Sequence, residues 1–517
     1  MKYNFIFLFL SILTISCKNG KEQTPAPNII FLMTDDQRWD NMGCYGRPEF
    51  NTPHIDALAE KGVVFDKAYY AVAICMPSRV TMMTGRFNSN HQVGFVAPTD
   101  YTLSQADFAD SYPAVMKRAG YRTGFIGKVG FTVTEEATRP STPKKHFYKV
   151  QMGHVFDFFA GSETTDTKGH ITWPEEDQVL KNIYKEGRKN TSRTLKNGEA
   201  MLHFLDSQPK DHPFCLSVSF YAVKHDNDRH VYWPHHEQFE ELDMSIPENW
   251  MVENEKLPEV VKENARGVRL HRQRSSTPEK YQKLVKRFAT QGYTVDEQVG
   301  LMVEKLKEKG LLENTIIIYT SDNGRFQGSH GLFDKCLLYD ESVKAPLIVY
   351  DGRTASKAKA FRSDALISSV DMAPSILSMA GLSIPDKMQG KDFTGILTKQ
   401  QDMSDWRDAV FMEDLFLAEM FGARYREDVD QVNQQLIDDN KSYRSHGIRT
   451  NRYKYFVYYE HSPRIEEMYD MLMDPLENDN LALRPEYEEL LINMRKRTEQ
   501  LYQEILPVEE NQLAGFH

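Results

Sequence analysis

The chain is 517 residues long, 40% hydrophobic and 26% charged, enough for one large core-bearing domain with a smaller companion. Gly and Pro usage (29 and 23) is ordinary and excludes collagen-like and low-complexity classes. A net charge of −11 without any nucleic-acid motif argues against a protein that coats DNA or RNA, and a mean hydropathy of −0.55 with one apolar run excludes a polytopic membrane protein.

That run comes first in the chain. Lys2 precedes residues 5–15 (FIFLFLSILTI), which are too few to span a bilayer and suit the core of a signal peptide. The run ends at Ser16-Cys17, followed by a polar stretch to Pro27. A small residue before that cysteine resembles a bacterial lipoprotein signal. It implies a signal peptide over 1–16, lipidation of Cys17 and a tether over 17–27. The membrane is then contacted through the lipid anchor only, in the periplasm or on the cell surface, as an outer-membrane lipoprotein of a Gram-negative cell. The alternative is a plain cleaved signal with an incidental cysteine. The other cysteines are Cys44, Cys75, Cys215 and Cys336, too few and too scattered for a disulfide framework. Cys215, inside an apolar run, reads as a small core residue.

Residues 28–34 (NIIFLMT) form a continuous apolar run, as a buried parallel strand requires, and lead into Asp35-Asp36. Thr52-Pro53 opens a helix that places Ile55, Leu58 and Ala59 on one side and stops at Gly62. A short helix over 114–119 precedes a strand over 121–126 and Gly127-Lys128. A third strand, 213–223 (PFCLSVSFYAV), ends at Lys224-His225. Thr294 and Glu297 form a capping box for a helix with Val295, Val299, Met302 and Leu306 on its apolar side. Residues 315–320 (TIIIYT) give a fourth strand before Ser321-Asp322-Asn323-Gly324. Strand–helix alternation predicts an α/β fold, a large domain over 28–391 with a mainly parallel central sheet flanked by helices. Residues 131–197 lack that rhythm and read as an insertion over the site. After about 392 the Tyr- and Arg-rich segment 443–459 and an amphipathic helix over 485–505 predict a smaller C-terminal α+β domain, 392–517, with an antiparallel sheet.

Polar, ligand-type residues follow the apolar runs: Asp35-Asp36, Lys128, His225 and Asp322-Asn323. Ligands of open α/β sheets bind beyond the carboxyl ends of the strands, so these residues are expected on one edge.

Residues 75–79 (Cys-Met-Pro-Ser-Arg), continuing to Thr84-Gly85-Arg86, resemble the signature of the formylglycine-dependent type I sulfatases of the alkaline phosphatase superfamily. The resemblance runs from residue 28 to about 482. It implies that a formylglycine-generating maturation enzyme oxidises Cys75 to formylglycine (3-oxoalanine). The hydrated aldehyde would attack sulfur, expel the alcohol, then release sulfate by elimination. It further implies one Ca2+ held by Asp35, Asp36, Asp322 and Asn323 together with residue 75, a set of hard oxygen donors suited to that ion. Arg79, one turn into the helix, would hold the diol through its fork of donors. Residues 120–128 (GYRTGFIGK) are similar to the family's second signature and put Lys128 on formylglycine and sulfate. His225 stands for a sulfate-binding histidine, and Lys335 for the lysine after the Asp-Asn-Gly motif. Either could protonate the leaving alcohol. The chain departs from the family where Trp-His usually follows the glycine-lysine pair. Here Val129-Gly130-Phe131 follow, and the candidate replacements are His146 and His154.

The resemblance implies a substrate class of sulfated oligo- or polysaccharide, an algal polysaccharide such as ulvan or a glycosaminoglycan, met as oligosaccharides. The rival readings are a phosphonate or phosphate ester hydrolase of the same superfamily and a non-catalytic sugar-binding relative. Between 262 and 287 nine Lys/Arg oppose two Glu, which reads as a solvated helix face or as a track for a polyanion. His446 and Arg449 are candidate subsite contacts. His330 either joins the site or orders its loop, and Cys336 reads as packing.

Overall fold

The computed structural model describes residues 25–94, 101–138, 154–162, 171–174, 176–185, 192–224, 236–250, 256–264, 266–355, 359–415, 429–442 and 444–506. The strand Asn28–Thr34 is buried along its whole length. It pairs in parallel on both sides, with Thr315–Ser321 and with Phe214–Ser219. Its side chains alternate between two cores, Ile29, Phe31 and Met33 in one, Ile30 and Leu32 in the other. A strand buried on both faces therefore needs the unbroken apolar run read in the sequence. Each such fully buried side chain contributes roughly 1.5–3 kcal/mol of hydrophobic stabilisation.

Helices cover both faces. Cys75–Thr84, Tyr112–Arg118 and Met372–Met379 pack against the first core, and Pro53–Ala59, Arg193–Asp206 and Pro278–Glu308 against the second. The sheet has nine strands, in the order Phe361–Ser363, Val63–Phe65, Leu347–Asp351, Thr315–Ser321, Asn28–Thr34, Phe214–Ser219, Arg122–Gly127, Phe158–Ser162 and Ile171–Thr172. Its centre is parallel, and antiparallel partners flank Leu347–Asp351 and Ile171–Thr172. The α/β expectation holds. Within the stretch 131–197, Phe158–Ser162 and Ile171–Thr172 extend the main sheet.

A separate antiparallel sheet, Ala409–Asp414, Ser445–Thr450, Tyr453–Tyr458 and Ile465–Asp470, forms the C-terminal part. The helix Glu488–Ile505 covers one face through Leu491, Met494 and Ile505. The other face sets Met412, Phe456, Tyr458 and Tyr469 against Phe326, Leu338 and Tyr339 of the larger part. Lys454, fully buried, clamps the join by donating to Asp340 Oδ1 and Glu477 Oε1, each at 2.7 Å.

Three expectations change. Thr294 does not cap a helix: Pro278–Glu308 runs through it from an N-cap at Thr277, and the Thr294 hydroxyl donates back to the Thr290 carbonyl. His446 offers no subsite contact. It stacks among Tyr459, Tyr502 and Phe411, where burial pushes its pKa down to about 4. Arg449 is buried with its guanidinium over the Tyr69 ring. Among the described residues no helix is long and apolar enough to cross a membrane.

Candidate active site

The register of the central strands builds the site. Thr34 is paired with Ser321, so the next residues, Asp35 and Asp322, emerge side by side. The Asp322 N–H donates to the Thr34 carbonyl (3.0 Å), and the Asp36 N–H donates to Asp322 Oδ1 (3.0 Å). Asp36 turns in the left-handed region, φ 61°, which swings its carboxylate back toward Asp35. On the other side the Asp35 N–H donates to the Ala222 carbonyl, binding the end of a third strand to the same point.

Cys75 is the first residue of the helix Cys75–Thr84, with Ile74 as an extended N-cap that offers no side-chain acceptor. The positive end of a ten-residue helix therefore faces the carboxylates. Cys75 Sγ lies 3.7 Å from Asp35 Oδ1, 3.8 Å from Asp36 Oδ1, 2.7 Å from Lys335 Nζ and 3.7 Å from Lys224 Nζ. One turn later Arg79 donates from Nε to Asp322 Oδ2 (2.9 Å), from Nη1 to the Lys128 carbonyl (2.8 Å), and to the Ser219 hydroxyl.

Two glycines make this crowding possible. At Gly127, φ 95°, a Cβ would stand 1.9 Å from the Ser219 carbonyl oxygen; at Gly130, φ 86°, it would stand 2.7 Å from Arg79 Cδ. The chain thus presses against the neighbouring strand and against Arg79, and Lys128 between them reaches Asp35. Lys335 binds Asp36 and donates to Asn323 Oδ1 (3.2 Å), while Asn323 Nδ2 donates to Asp36 Oδ1 (2.7 Å). Arg325 is a second cation on Asp36.

Asp35, Asp36 and Asp322 are completely buried, and with Cys75 they bring one ligand atom each within 4.8 Å of one another. Three carboxylates so close in a dry site require cations. Burial opposes ionisation of Asp35, but Lys128 and Lys224 hold its carboxyl below the usual range. Lys335 does the same for Asp36 against the same opposition, and more strongly. Burial pushes the Cys75 thiol up despite the surrounding lysines. Three carboxylates and the Asn323 amide oxygen are hard donors, so the set fits a divalent ion such as Ca2+.

Asp35, Asp36, Cys75, Arg79, Lys128, Asp322, Asn323 and Lys335 therefore meet at one point. His225 and His146 lie outside the described residues, as does Cys17. His154 is exposed in a turn. Val129 and Phe131 are buried apolar residues, and no described histidine contacts Cys75. His330 stays off the centre: it meets Asn249 Nδ2 at 3.1 Å and Glu341 at 3.5 Å, ordering the loop before Lys335. Cys336 is buried beside Lys335, as packing requires. Sequence reasoning missed Arg325 and Lys224. Each was adjacent to a strand-end motif already singled out, and the only signal was its charge.

The family model described as Sulfatase matches residues 27–382, and the model for the C-terminal region of N-sulphoglucosamine sulphohydrolase matches 328–504. The chain is 28% identical to an N-acetylglucosamine-6-O-sulfatase of Bacteroides thetaiotaomicron, covering 99% of this chain and 93% of that protein. It is 26% identical to a ulvan-active sulfatase of Formosa agariphila, covering 94% and 84%. A protein solved in complex with its substrate D-glucosamine-2-N,6-O-disulfate has the same fold, with a TM-score of 0.69 at 23% identity, over 93% of this chain and 98% of that one.

Proposed function

The chain belongs to the sulfatase family and is a sulfuric ester hydrolase, and from that premise we propose that it removes O-sulfate from a sulfated glycan of the glycosaminoglycan or ulvan type. The observation that carries this reading is the convergence of three buried carboxylates and their cations on Cys75 at a helix N-terminus. Full-length relatives that act on N-acetylglucosamine-6-sulfate and on ulvan, as their names state, support the glycan class.

Asp35, Asp36, Asp322 and Asn323 would hold one Ca2+ to polarise a sulfuryl oxygen, and formylglycine made from Cys75 by a maturation enzyme would supply the nucleophilic hydrate. The chain's own side chains do the rest. Lys128 and Lys335 keep Asp35 and Asp36 ionised and turn positive charge toward the anionic group. Arg79 fixes Asp322 and the first turn of the helix, so the exposed amides keep their aim. Lys335 Nζ, 2.7 Å from the residue-75 side-chain atom, places its charge at the nucleophile, and either Lys335 or His225 would supply the proton to the departing alcohol. Burial of every one of these groups excludes bulk water. Lipidation of Cys17 would place the enzyme in the periplasm or on the cell surface, where oligosaccharides are met; a Cys17→Ser variant that fractionates as soluble protein supports this, and one that stays membrane-bound overturns it.

Sulfate release should be measured across sulfated glucosamines, glycosaminoglycan fragments and ulvan oligosaccharides. Turnover on one of these classes is expected. Faster phosphate or phosphonate release from an aryl ester than sulfate release from its matched aryl sulfate would overturn the assignment.

A further inference from the structure

The three lysines at the centre are held differently. Lys128 is committed to Asp35 and Lys335 to Asp36, and both are buried. Lys224 arrives from the turn after Phe214–Ser219. Its backbone is fixed there because the Val223 N–H donates to the Asp35 carbonyl at 2.9 Å and the Ala222 carbonyl accepts from the Asp35 N–H at 2.8 Å. Its Nζ stands 3.7 Å from Cys75 Sγ and 4.0 Å from Asp35 Oδ1, with 17% of the side chain exposed. It marks the boundary between the buried centre and solvent. The sequence pattern put a sulfate contact one residue later, at His225.

Resting on the sulfatase reading above, we propose that Lys224 is a substrate-binding residue whose ammonium holds an oxygen of the sulfate group on the solvent side of residue 75. A group poised for attack sits about 3–3.5 Å from its nucleophile. An ammonium 3.7 Å from that same side-chain atom is then within hydrogen-bond reach of the group's oxygens. The overall charge agrees. Five cations, Arg79, Lys128, Lys224, Arg325 and Lys335, gather around Asp35, Asp36 and Asp322, and Arg325 also meets Asp334 at 3.9 Å. A lysine offers a compact point charge with three donors, suited to a tetrahedral oxyanion that turns during reaction.

The test uses the metal-loaded, formylglycine-converted enzyme, with conversion of Cys75 read by peptide mass spectrometry. Lys224→Met should weaken inorganic sulfate as a ligand by roughly ten- to hundredfold, and raise KM for an aryl sulfate by a similar factor. Lys224→Arg should recover most of both. Extent of conversion should stay at the wild-type value. In the wild-type enzyme, amine acylation of Lys224 should be suppressed by saturating inorganic sulfate, a readout that needs no variant. Sulfate affinity within about twofold of wild type in Lys224→Met, or acylation indifferent to sulfate, overturns the proposal. A wild-type enzyme that binds sulfate but hydrolyses no sulfate ester would refute the family-based reading instead, and the binding data would still judge Lys224.

Discussion

Arg79→Met gives the most direct measure of how the buried centre is balanced. Arg79 is 1% exposed and is the partner of Asp322, at 2.9 Å through Nε and 2.7 Å through Nη2, with Asp35 at 3.7 Å. Methionine fills much of the volume and removes the charge, so Asp322 is left buried without its cation. Removing one partner of a buried pair costs about 3–5 kcal/mol, more than the pair's net worth, because the other charge stays desolvated. At roughly 2–4 °C per kcal/mol for a large domain, the metal-free variant should melt about 6–20 °C below wild type. Saturating Ca2+ should raise the variant's melting temperature by more than it raises that of wild type, since the ion neutralises the carboxylate Arg79 abandoned. The coupling is isolated by adding Asp322→Ala. The double variant should be less destabilised than the two singles added together, by about 0.5–3 kcal/mol. The assay is thermal unfolding in chelator and in Ca2+, with desulfation measured in parallel. A metal-free melting temperature within about 2 °C of wild type, or strict additivity in the double variant, would falsify the claim that Arg79 offsets the buried carboxylate.

Cys75→Ala should abolish sulfate release while leaving the circular-dichroism spectrum and melting temperature close to wild type; an active variant would remove residue 75 from the chemistry. Charge reversal at Arg269 and Arg272, both exposed on the helix Arg266–Arg274, should raise KM for a multiply sulfated oligosaccharide more than for a small aryl sulfate. Equal effects on the two substrates would make that helix a solvated face only. Glu413 supplies a pH dependence away from the centre. Burial pushes its pKa up to about 7, although it accepts from the Ser89 N–H. Between the unfolded value near 4.5 and 7 the folded state keeps a proton that the unfolded state loses, so stability falls as pH rises through that window and levels off above it. Glu413→Gln should therefore be more stable than wild type by about 1–3 kcal/mol at pH 8 and no different at pH 4. Equal urea midpoints at pH 8 would place the ionised carboxylate in a solvated position.

The central strands were legible because their chemistry is local. Unbroken apolar runs at 28–34 and 315–321 can only be buried on both faces, and the ligand-type residues just beyond them follow from the parallel register. What stayed hidden depends on contacts distant in sequence. Thr294 and Glu297 carry a valid capping signal, but the tertiary packing of Phe288, Val295 and Val299 on one core holds a single helix through that point. The strands Phe158–Ser162 and Ile171–Thr172 are too short to announce themselves, and they exist because Gly124 to Gly127 offers an open edge. His446 carries the residue type of a ligand, and only its stacking partners reveal a packed ring. Lys224 was passed over for its neighbour His225, because the family resemblance names a histidine after that strand.

The same local and distant terms meet at the loop carrying Lys335. Asp36, with φ 61°, and Cys336, with φ 87°, are non-glycine residues in the left-handed region, and Lys335, the neighbour of Cys336, binds Asp36. Such conformations cost of order 1–3 kcal/mol each and persist only where the surroundings fix them. Here the surroundings are identifiable. The Phe326 N–H donates to the Asp334 carbonyl at 3.0 Å, Arg325 binds Asp36 and lies over the Phe333 ring, and Arg266 reaches Asp334 at 3.4 Å. The basic stretch thus has a role besides its exposed charges, because Arg266 of the helix Arg266–Arg274 braces the loop that carries Lys335. On the sulfatase reading, a lysine held this way would stay in place when the substrate leaves. Positive charge stays fixed where negative charge must gather, and the cost of assembling it is met in folding and not in each turnover. The C-terminal sheet extends that bracing through Lys454 to Asp340, five residues beyond Lys335. The C-terminal sheet is therefore tied to the segment that follows Lys335 by the buried pairs of Lys454 with Asp340 and Glu477.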